Sequence, residues 1–151
     1  MRDLKSSDQN SIVVFDSLTA TKIKLFYRTP TTKERLRYKS DIVNVLTKTK
    51  SVEEGTKMQL QWAKELVTGF RQGDFGYDSK AISANKDDEN YYQAWKSLME
   101  ETASDIMLAF IETVMDRPVM VIKDVEVDES FFSGNSRDSI TSGQAKSENN
   151  T

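Results

Sequence analysis

The spacing of apolar residues changes period at Pro30, and that switch sets the fold class. Upstream, Ser11–Phe15 (SIVVF) and Lys22–Tyr27 (KIKLFY) are rich in β-branched and aromatic residues. Lys22, Ile23, Lys24 and Leu25 alternate polar and apolar, the period of a half-buried strand. The intervening Asp16–Thr21 carries Asp and Ser, so the two runs read as an antiparallel hairpin. Downstream, the period is helical. Thr31 and Glu34 form a capping box that starts a first helix over about Thr32–Thr49. Leu36, Ile42, Val43 and Leu46 mark its inner face, with Tyr38 beside them. Ser51 and Glu54 make a second capping box, opening a helix over about Val52–Phe70 with Trp62, Ala63, Leu66, Val67 and Phe70 in its stripe.

Gly73–Asp88 is a loop rich in Gly, Asp, Ser and Asn. Asp87 and Asp88 are placed to cap a long third helix, about Glu89–Asp116, that ends before Pro118. Its stripe holds Tyr92, Trp95, Leu98, Met99, Ile106, Phe110 and Val114. Val119–Val127 is β-branched and fits a short third strand beside the hairpin. Residues 129–151 are Ser- and Asn-rich and offer too little apolar surface to offset ordering entropy. The expectation is a mainly helical α+β protein: a flexible 1–10, one domain over 11–128, and a disordered tail over 129–151.

The 151 residues contain no histidine and no cysteine, which removes the usual proton shuttle, the readiest nucleophile and most zinc and haem ligands. Asp74-Phe75-Gly76 spells the metal-binding triplet of protein kinases, but no Gly-rich loop or catalytic-loop motif accompanies it. Asp74, Asp78, Asp87 and Asp88 do not match an EF-hand spacing and read as turn formers. Glu100, Glu101, Asp105 and Glu112 read as a solvated helix face. No catalytic, cofactor or metal residue is assigned, and the chain is read as non-enzymatic. Trp62 and Trp95 read as core. With a formal net charge of −3, nucleic acid is disfavoured as a partner. Yet seven of the 21 basic residues fall between Lys22 and Lys39, a local basic surface that reads first as a solvated face, with an acidic protein partner or phosphate contact as the alternatives. The N-terminus lacks an apolar signal core and no stretch is long enough to span a bilayer, so the expected location is cytoplasmic.

Lys22–Asp41, with an aromatic–Arg–x–Pro–Thr–x–x–Glu–Arg run, and Glu65–Asp78, with Leu–x–Thr–Gly–Phe–x–x–Gly–Asp–Phe, resemble small tail-gene proteins of tailed bacteriophages and prophages. The overall plan, helical and acidic with a polar C-terminus, resembles tail assembly chaperones. That resemblance implies a non-enzymatic role in the host cytoplasm, holding the tape measure protein and assisting tail tube subunits. The family has no active site to carry over. Candidate partner contacts are Lys33, Arg35 and Arg37 on the first helix, Phe75 and Tyr77 in the loop, and Phe131 and Phe132 in the tail. The rival readings are a structural head–tail connector or tail completion subunit and a small regulatory nucleic-acid binder; self-association is left open.

Overall fold

The computed structural model describes residues 4–116, apart from 6 and 8. The α+β class holds: a three-stranded antiparallel sheet is covered by helices. β1 (Asn10–Asp16) and β2 (Thr21–Tyr27) form the expected hairpin, with Ile12 opposite Leu25 and Val14 opposite Ile23. Those four side chains make its inner face, and Ile23 and Leu25 are buried. Asp16 closes the turn by accepting from the Leu18 amide (3.0 Å) and the Thr19 hydroxyl (2.7 Å). Ahead of β1, the Ser7 carbonyl accepts from the Thr29 amide at 2.7 Å.

α1 (Thr32–Asn44) starts at the predicted capping box, with both reciprocal bonds present between Thr31 and Glu34. It runs into a wider π-helical turn, Val45–Thr49, closed by Lys50 in the left-handed region (φ 50°). Its inward face keeps only part of the expected set. Tyr38 is fully buried and Ile42 packs on the core, whereas Leu36, Val43 and Leu46 are 63%, 56% and 67% exposed. The apolar residues of the helix spread around more than one side, and the side that carries Tyr38 turns inward. Its ring stands edge-on to Trp62 (6.0 Å), its hydroxyl donates to Asp116 and it accepts from Gln59. Burying a tyrosine with its hydroxyl bonded gains more than burying a leucine from the other row.

α2 (Val52–Leu66) begins where Ser51 accepts from the Glu54 amide, and it stops four residues earlier than expected. Val67–Phe70 is a strand, β3, paired with β2 through Leu25–Phe70 and Phe26–Gly69. Val67 and Phe70 are both buried although their spacing of three suits a helix, and the β2–β3 register is irregular between them, at Phe26/Tyr27. β-branched Val67 and Thr68 together with the open edge of β2 resolve it toward the strand.

The predicted loop contains a small hairpin, β4 (Gly76–Tyr77) and β5 (Lys80–Ala81), turned by Asp78 and Ser79, both at positive φ. The single third helix is corrected to two. α3 (Trp95–Thr102) starts six residues late, and α4 (Ser104–Ile111) follows after a break at Ala103, φ −136°. Asp87 and Asp88 cap neither helix; Asp88 instead accepts from the Ser83 hydroxyl. The break falls in Thr-Ala-Ser-Asp, where Thr102 bonds back to the Leu98 carbonyl and Ser and Asp favour a new helix start. Redirecting the chain there lets Met99 on α3 and Ile106, Met107, Phe110 and Ile111 on α4 all reach the core. A π-helical turn, Glu112–Asp116, completes the described chain. The strand expected over Val119–Val127 and the disordered tail expected over 129–151 lie outside the described residues.

Candidate interaction surface

The two segments that carry the family resemblance meet in space. The Leu66 carbonyl accepts from the Arg28 amide at 3.1 Å, and the Lys24 carbonyl accepts from the Arg71 amide at 2.9 Å. Within the first segment, Arg28 grips Glu34 with two bonds, 2.9 and 2.7 Å, across the strand-to-helix corner. The guanidinium holds the Glu34 carboxyl down at about 2, helped by the Thr31 amide. In the second segment, Asp74 accepts the Lys24 amide (2.8 Å) while its other oxygen takes Arg71. Arg71 also donates to the Lys22 carbonyl (2.8 Å), so the kinase-like triplet begins with a sheet-pinning aspartate. Phe75 stacks edge-on against Phe70 (4.9 Å), and Phe70 against Trp95 (5.6 Å). These motif residues are fold-determining, which their spacing alone did not disclose.

Among the described residues, no group of three or more acidic, His or Cys side chains is placed to hold a metal. No buried side-chain polar atom there lacks a partner. Burial lowers the Lys96 amine, yet Lys96 is engaged, donating to the Lys64 carbonyl at 2.7 Å and lying over the Trp95 ring. Burial likewise pushes the Tyr38 hydroxyl up to about 12. Each perturbed group is accounted for by packing or by a partner inside the fold.

The predicted contact residues separate into two kinds. Lys33 is exposed, and Arg37 is exposed with its guanidinium 5.9 Å from the Trp62 ring centre. Arg35 is not a solvated charge: it turns inward and donates to the Val114 carbonyl at 2.8 Å, locking α1 to the last described turn. Phe75 is largely taken up by the aromatic chain, while Tyr77 is 51% exposed and rests against Tyr92. Phe131 and Phe132 lie outside the described residues.

No family model, no curated protein and no solved structure matches this chain. Function is therefore read from the surface. Sequence reasoning missed its main feature, the outward row Leu36, Val43 and Leu46 on α1. Their spacing of seven and three is that of an a/d seam, with Leu46 in the π-helical turn. The signal was present, but the row was assigned to the core. Val13 and Phe15, 55% and 62% exposed on the edge strand β1, with exposed Leu18 in the following turn, are further exposed apolar residues. No helix among the described residues is long and apolar enough to cross a membrane.

Proposed function

We propose that this chain is a non-enzymatic binding protein of phage tail assembly, a chaperone that holds helical segments of the tape measure protein and assists tail tube subunits. The observation that carries this reading is the outward apolar row of α1. A domain whose core is otherwise well satisfied leaves three large aliphatic side chains in water on one helix face, and such faces accept amphipathic helices. The sequence resemblance supplies the assembly context: the partner there is long, helical and prone to aggregate. Host cytoplasm is the corresponding location.

Co-expression with the tape measure protein from the same genome tests this reading. The soluble fraction of that protein should rise severalfold with the chain present, and purified virions should lack the chain. No gain in solubility would overturn the chaperone role. Stoichiometric recovery of the chain in purified particles would do the same and point to a connector or completion subunit.

A further inference from the structure

We infer that the outer face of α1 selects an acidic amphipathic helix, one whose apolar row is bordered by carboxylates; this partner chemistry rests on the binding role proposed above. From Lys33 to Lys50 the chain has eight charged residues, six basic and two acidic. Both acids are committed inward. Glu34 is held by Arg28 and the Thr31 amide, and Asp41 accepts from the Trp62 indole at 3.0 Å. Arg35 is also turned inward. The charges left exposed are Lys33, Arg37, Lys39, Lys48 and Lys50, all basic, on a chain whose net charge is −3.

Their placement follows the apolar row. Lys39 falls within it, between Leu36 and Val43, and Lys33 and Arg37 lie one turn apart along one flank. Lys50 follows Leu46 by four residues at the end of the π-helical turn. The row from Leu36 to Leu46 is about 15 Å long, enough for about three turns of an incoming helix. Of the two acids in the first turn of α2, Glu53 is paired with Lys57 at 2.8 Å and Glu54 is exposed, against five exposed cations from Lys33 to Lys50. An incoming helix therefore meets aliphatic contacts bordered by cations, and carboxylates beside its own apolar row would be attracted there. A lysine-flanked helix would be repelled.

The test uses the full chain and three synthetic helical peptides of about three heptads. One has Leu at the seam and Glu on the flanks, the second has Leu with Lys flanks, and the third is a scramble of the first without a stripe. Fluorescence anisotropy should show the Glu-flanked peptide binding at least about tenfold more tightly than the Lys-flanked one in about 0.1 M salt, with the gap closing toward 1 M. Lys33→Glu with Lys39→Glu should remove most of the preference, because three cations then face two acids. Leu36→Ser with Leu46→Ser should abolish binding of both striped peptides. Melting curves of the variants confirm folding, since all four positions are exposed. Equal binding of both striped peptides would overturn the charge selection, and equal binding of the scramble, or no binding, would overturn the seam. Failed peptide selection with intact rescue of the tape measure protein leaves the chaperone role standing. Failed rescue with intact selection removes the role and leaves the seam.

Discussion

Replacing Glu34 by Gln should weaken the fold by an amount that depends on pH. Glu34 joins the end of β2 to the start of α1 through its paired bonds to Arg28, and it returns a bond to the Thr31 amide. Gln keeps the shape and the capping bond but loses the charge. The Glu34 carboxyl lies near 2 in the fold against an ordinary 4.5, and the Arg28 bonds are the largest cause. A folded value below the unfolded one stabilises the protein above about pH 4.5, and this contribution fades as pH falls toward 2. Unscreened, the displacement corresponds to about 3 kcal/mol. Arg28 and Glu34 remain 34% and 24% exposed, so solvent reduces this to about 1–2 kcal/mol. Urea unfolding followed by the fluorescence of buried Trp62 and Trp95 should show that deficit near pH 7 and about half of it by pH 3. A deficit unchanged across that range, or none at pH 7, would refute the ion-pair account of the corner.

Trp95→Ala should cost about 3–5 kcal/mol or leave the chain insoluble, because the ring is 5% exposed and braces Phe70; an unchanged melting point would mean the ring is dispensable. Tyr38→Phe strips the hydroxyl from Gln59 and Asp116 and should cost about 1–2 kcal/mol in denaturant titration. Arg35→Glu should destabilise by more than about 1 kcal/mol, whereas Lys33→Glu, in the first turn of α1, should be neutral or slightly stabilising; calorimetry separates them. Asp74→Ala should speed amide exchange in the Lys24 and Arg71 region, because it removes the acceptor that joins them.

The legible parts of this fold were those where one local signal had one outcome. The hairpin followed from alternation, and the start of α1 from a Thr–x–x–Glu box that forms both of its bonds. Trp62 and Trp95 are buried as their stripes indicated. The misread parts are places where two outcomes share a pattern. Val67 and Phe70 have a helical spacing, and the pairing with β2, distant in sequence and irregular in register at Phe26/Tyr27, makes the segment a strand. The apolar residues of α1 spread around more than one side, and the side that turns inward is met by Gln59, Trp62 and Asp116, none of which is local to it. Arg35 looked like one of several surface cations because its acceptor, the Val114 carbonyl, lies 79 residues away. The candidate surface was hidden for the same reason: an apolar row looks alike in sequence whether it faces the core or the solvent.

The most direct measurement is an amide chemical-shift titration of the full-length, isotope-labelled chain with helical fragments of the tape measure protein. The largest shifts should cluster from Lys33 to Lys50, centred on Leu36, Val43 and Leu46, with little change in α4 and in the inner face of the sheet. Shifts concentrated on β1 around Val13 and Phe15, or none at saturating fragment, would contradict the assignment of α1 as the partner-binding face.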